Sequence, residues 1–78
     1  MRMGRVVAEF ETLSVVALME AVPAKGLKRG QVGTIVEELA PEVYEVEFSD
    51  DNGQTYAFAA LRSDQLMRLH YEPTQHAA

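Results

Sequence analysis

Glu45 and Glu47 are the first residues to test for chemistry, because paired carboxylates can share general acid–base work. In Val43-Tyr44-Glu45-Val46-Glu47-Phe48 they alternate with apolar residues, so on a strand they share one face. Their Cβ atoms then lie about 7 Å apart. A glycosidase also needs a deep sugar cleft, which so small a chain can hardly build. Nucleophilic catalysis lacks its parts. Cysteine is absent, and Ser14, Ser49 and Ser63 stand in no nucleophile-elbow context. His70 and His76 are too far apart for a helical metal pair and lie at the C-terminal end. Gly26, Gly30 and Gly33 have neither phosphate-binding spacing nor the helix that should follow it. Asp50 and Asp51 precede Asn52-Gly53, but the ligand spacing and closing glutamate of a calcium loop are missing. The reading is a non-enzyme without cofactor or metal.

Binding is the chemistry that remains, and charge narrows it. The formal net charge is −5 in 78 residues, which opposes generic phosphate-backbone binding and adsorption to anionic membranes. Glu37, Glu38, Glu42, Glu45, Glu47, Asp50 and Asp51 concentrate seven of the twelve acids in one stretch. Lys25, Lys28 and Arg29 form a small basic group just upstream, so the molecule is expected to be dipolar. No apolar run is long enough to span a bilayer or to make a signal peptide. With no cysteine to form disulfides, the expectation is a soluble cytoplasmic protein.

The elements that must position these groups read as short strands in a single domain. Residues 1–9 are an N-terminal arm or an extra edge strand, residues 10–71 the domain, and residues 72–78 a flexible tail. Phe10 and Leu13 are expected to tie the start of the domain down. Ser14 to Glu20 reads as a first strand with Val16 and Leu18 inward. Ala21 to Gly30 is a long loop punctuated by Pro23, Gly26 and Gly30, with Leu27 its anchor. Gln31 to Glu38 is a second strand, Leu39 to Glu42 a turn, and Val43 to Phe48 a third strand with Tyr44, Val46 and Phe48 inward. Gly33, inside the second strand, marks a bulge, a bend or a close backbone approach.

Ser49 to Gln54 is a hairpin loop around Asn52-Gly53. Thr55 to Leu61 is a fourth strand of ambiguous register. Either Tyr56, Phe58 and Ala60 or Ala57, Ala59 and Leu61 face the core, and the small alanines suit a crowded interior better. Arg62 to Gln65 reads as one 3₁₀ turn, and Leu66 to Leu69 as a short final strand, with Tyr71 behind it. Five strands, one long loop and one tight hairpin define an all-β fold. The best fit is a small SH3-like five-stranded barrel with a single 3₁₀ turn before the last strand.

The phrases Val15-Val16-Ala17-Leu18 and Leu27-Lys28-Arg29-Gly30-Gln31-Val32-Gly33-Thr34-Ile35-Val36 carry a resemblance, continued by Tyr44-Glu45-Val46-Glu47-Phe48, Gly53-Gln54-Thr55-Tyr56-Ala57 and Leu61-Arg62-Ser63-Asp64-Gln65-Leu66. Over residues 10–69 the chain resembles a small bacterial family, domain of unknown function 4926. The resemblance implies an SH3-like fold, no catalytic motif and no assigned role. The glycine-led second strand is also similar to that of KOW-type barrels in transcription and translation factors, whose preceding loop contacts RNA or protein.

The leading expectation is a non-catalytic protein-interaction module, one version being an antitoxin-like or immunity-like partner that masks a basic surface of a co-produced protein. Its partner-binding residues would be Glu45, Glu47, Asp50, Asp51, Tyr56 and Phe58, with the two rings forming a patch bordered by acids. The first alternative is a KOW-like nucleic-acid or ribosome-associated module using Lys25, Lys28 and Arg29 as a recognition loop. The second is a structural homo-oligomer joined through edge strands.

Overall fold

The computed structural model describes residues 10–70 and Pro73; expectations for residues 1–9, Tyr71, His76 and the rest of the tail lie outside the described residues. Five strands follow one another as β1 (Val15–Leu18), β2 (Val32–Ala40), β3 (Val43–Ser49), β4 (Thr55–Arg62) and β5 (Leu66–Arg68). They form one antiparallel sheet in the order β4-β3-β2-β1-β5. The sheet is not closed: β4 and β5 are its edges, and among the described residues no ladder joins them. The all-β expectation holds, as does the 3₁₀ turn before the last strand, at Ser63–Gln65.

Strand alternation builds the core directly. In β3 the inward Tyr44, Val46 and Phe48 are fully buried while Glu45 and Glu47 are half-buried on the outward face. β4 resolves in favour of the alanines, with Ala59 and Leu61 buried and Ala57 packed against the same cluster. Val16 and Leu18 of β1, Ile35 of β2 and Leu66 of β5 complete the sheet's contribution. Leu27 anchors the long loop, as expected. It is buried, and main-chain bonds in both directions between Val22 and Leu27, at 2.9 and 3.1 Å, pinch the loop around it.

Three details depart from expectation. The Leu13 side chain is no tie: it is 72 % exposed, because a left-handed backbone (φ 74°) turns it out of the core, and the residue is held by its main chain, whose N–H donates to the Ile35 carbonyl at 2.7 Å. Phe10 supplies the side-chain tie, edge-on to the Tyr44 ring at 5.4 Å, with its N–H donating to the Tyr44 hydroxyl. The long loop contains a 3₁₀ turn of its own, Pro23–Lys25, where only irregular chain was expected. Proline presets the first position, and Gly26, left-handed at φ 70°, ends the turn. β2 also runs to Ala40, leaving Pro41-Glu42 as a two-residue turn with Glu42 at φ 64°.

Gly33 proves to be a close approach rather than a bulge. A Cβ there would lie 2.6 Å from Val46 Cγ1, 2.9 Å from Phe48 Cε2 and 3.0 Å from the Glu47 carbonyl oxygen. The bulges of β2 come later. Ile35 and Glu37 pair with the consecutive Val46 and Glu45, which leaves Val36 extra; Glu38 and Ala40 likewise pair with Tyr44 and Val43, leaving Leu39 extra. Each extra residue strengthens the local bend.

Candidate functional site: the outward face of the sheet and its β4 edge

Register assembles the outward face row by row. One row crosses four strands as Val15–Thr34–Glu47–Phe58, and the next runs Glu37–Glu45–Ala60. Phe58 is 46 % exposed and lies directly opposite Glu47. The structure thus brings together Glu45, Glu47 and Phe58, three of the residues singled out for partner binding. Glu37 faces Glu45 across the β2–β3 ladder, and like charges placed directly opposite are unfavourable. Among the described residues the ion pair is Arg62–Asp64, so no cation relieves Glu37, Glu45 or Glu47. Glu47 does accept a hydrogen bond from the Thr55 hydroxyl.

Tyr56 does not share a face with Phe58. Phe48 and Ser49 pair with Ala57 and Thr55, which leaves Tyr56 as an extra residue in β4. At such a bulge two successive side chains sit on one side, so Tyr56 joins Ala57 on the core side. Its ring lies 6.4 Å from that of Phe48, and its hydroxyl accepts from Gln31 Nε2 at 2.9 Å. It remains half-exposed, as a rim over the end of the core. The inward alanines were the condition for a two-ring patch, and the bulge divides that patch.

Asp50 and Asp51 also separate. Asp50 Oδ1 accepts the N–H groups of Asn52 and Gln54, both at 2.9 Å, so this carboxylate is built into the hairpin loop. Gly53, at φ 81°, supplies the left-handed residue of that loop. Asp51 stays exposed beside it.

The basic loop meets the aromatic rim through a residue that sequence reading passed over. Gln31 Oε1 accepts the Lys28 N–H at 2.6 Å, while its amide nitrogen holds Tyr56. Arg29 Nε donates to the Met19 carbonyl at 3.2 Å, and Lys25 projects from the 3₁₀ turn in solvent. The local signal for Gln31 was faint: it is a polar residue at the inward parity of a strand beginning Val32-Gly33. Its partner lies 25 residues away, beyond any local pattern.

Across the ladders Glu45 faces Glu37 and Ala60, Glu47 faces Thr34 and Phe58, and a depression lined by Glu38, Leu39, Ala40 and Pro41 is open to solvent. Among the described residues no three His, Cys, Asp or Glu side chains cluster as metal ligands, and no helix is long and apolar enough to cross a membrane.

These features define a small all-β domain with an acidic and apolar outward face. The chain belongs to the family described as Domain of unknown function (DUF4926), which it matches over residues 12–68. No curated protein and no solved structure matches it.

Proposed function

We propose that this is a non-catalytic interaction module whose outward β3–β4 face binds a protein with a basic surface. The observation that carries the reading is the unrelieved Glu37–Glu45 opposition beside Glu47 and the exposed Phe58. A cationic partner removes the repulsion and covers the ring at once, so complementarity selects it. A co-produced protein whose basic surface is masked, in the manner of an antitoxin or immunity partner, is the concrete version. The strand order, with β2 bent by two bulges, supports reading the sheet as an SH3-like barrel. The absence of cysteine supports a cytoplasmic site of action, and a bacterial source is part of the same reading. Copurification of the tagged chain expressed from its native operon tests the reading. A stoichiometric basic protein retained at physiological salt is the expected result; recovery of free chain alone overturns it.

One observation favours a second reading. Gln31 ties the Lys28 amide to the half-exposed Tyr56, placing a basic loop next to a ring on which a base can stack. A nucleic-acid module through Lys25, Lys28 and Arg29 predicts binding to single-stranded RNA that falls steeply with salt. The paired change Lys28→Ala and Arg29→Ala should weaken it, and fluorescence anisotropy showing no binding at low salt removes this reading.

A further inference from the structure

The edge of β4 carries an inference about how the partner proposed above is held, and it rests on that proposal. Natural sheets protect their edges with charge, proline or very short strands. β5 is three residues long and ends at Arg68. β4 runs for eight residues, of which Thr55 to Leu61 include no charge and no proline. Among the described residues no strand lies against its outer side.

The direction of its free main-chain groups follows from the hairpin. The Ser63 N–H donates to the Glu42 carbonyl at 2.9 Å, continuing the register in which Val43 faces Arg62 and Tyr44 faces Leu61. Hydrogen-bonded and non-bonded pairs alternate along an antiparallel ladder. Leu61, Ala59 and Ala57 therefore spend their N–H and C=O groups on β3, while Ala60 and Phe58 point theirs away from the sheet; the N–H of Arg62, at the end of the strand, donates to Gln65 Oε1 at 2.8 Å. Two alternate residues, Phe58 and Ala60, offer a donor and an acceptor each.

The side chains beside this row specify what fits. On the outward face Ala60 is only a methyl high, and Glu45 stands directly behind it in the ladder. A residue of an added strand would be two strand spacings from Glu45, about 10 Å, within the combined reach of a lysine or arginine and a glutamate. Phe58 presents a ring beside it for a cation or its alkyl stem. On the other face the neighbours are Ala59 and Leu61, where an apolar residue would prolong the core.

We propose that the free edge of β4 takes up an extended segment of the partner as a sixth strand, and that this segment alternates basic and apolar residues. The net charge of −5 and the acidic rows favour such a segment over a second copy of this chain.

The probe is an end-capped octapeptide of alternating lysine and valine, compared with one of the same composition arranged in two blocks. Binding is read by amide hydrogen exchange on the full chain. In the free chain the amides of Phe58 and Ala60 should exchange fast, and the alternating peptide should slow them while leaving Ala57, Ala59 and Leu61 unchanged. Ala60→Pro removes an outward N–H that β3 does not use, a change edge strands tolerate. It should weaken the alternating peptide about tenfold, with circular dichroism unchanged. Equal binding of both peptides without edge protection, lost on Glu45→Gln with Glu47→Gln, overturns the sixth strand and leaves the acidic-face reading standing. Failure of the alternating peptide to bind overturns the inference, while copurification decides the function separately. Edge amides already protected in the free chain overturn it as well. Light scattering then assigns the cover to a second copy if the mass is doubled, or to the chain's own residues if it is not.

Discussion

Val46 and Phe48 can be fully buried over Gly33 only because nothing projects from its α-carbon. A methyl group would stand 2.6 Å from Val46 Cγ1 and 3.0 Å from a main-chain oxygen, and the oxygen cannot rotate away. Gly33→Ala should therefore cost about 1–3 kcal/mol by overpacking, read as a lower urea midpoint with an unchanged slope. An unchanged midpoint would show that β2 and β3 separate freely there. The two adjacent aspartates give a sharper residue-scale contrast. Asp50→Ala orphans two loop N–H groups and should cost about 1 kcal/mol, whereas Asp51→Ala should leave the melting curve within error of the parent. In the sequence these carboxylates form one acidic feature. Their difference lies in where one oxygen points, and the pattern Asp50-Asp51-Asn52-Gly53 does not determine that.

At the scale of the elements, the strands were legible wherever one face is plainly polar. Glu45 and Glu47 made β3 unambiguous, and the alanines of β4 indicated its inward side correctly. The bulges were not legible. Val36, Leu39 and Tyr56 are ordinary strand formers, and what makes each of them extra is the count of residues on the neighbouring strand. Tyr56 was therefore grouped with Phe58 by parity, although the ladder moves it to the core side. The 3₁₀ turn at Pro23–Lys25 was missed for a related reason, since three residues are too few for a helical period to show. Leu27 was legible as the one large apolar residue in a polar loop. Leu27→Ala should cost about 2–4 kcal/mol, a large share of the stability of so small a domain. Thermal unfolding should show the whole transition falling, since the Val22–Leu27 pinch and the start of β2 depend on the same contact. A loop that loosens while the melting temperature holds would contradict this.

For the molecule as a whole, charge placement sets folding against binding. Glu37 and Glu45 oppose each other between the two bulges of the β2–β3 ladder, in a chain that already carries a net −5. Neutralising one of them should help the isolated fold, because the repulsion disappears and the Glu45 side chain is only half-buried. Glu45→Gln is expected to stabilise the free chain by about 0.2–1 kcal/mol. The same change should weaken capture of a basic partner, because it removes the carboxylate that stands behind Ala60. Salt should act in the same two directions. Screening reduces the repulsion in the free chain and also the attraction across the interface, so added salt should raise the melting temperature and lower the affinity. In Glu45→Gln both salt dependences should flatten. A variant that is less stable than the parent would mean that Glu45 serves the fold. A variant that is more stable but binds its partner undiminished would mean that the opposed pair has no part in recognition.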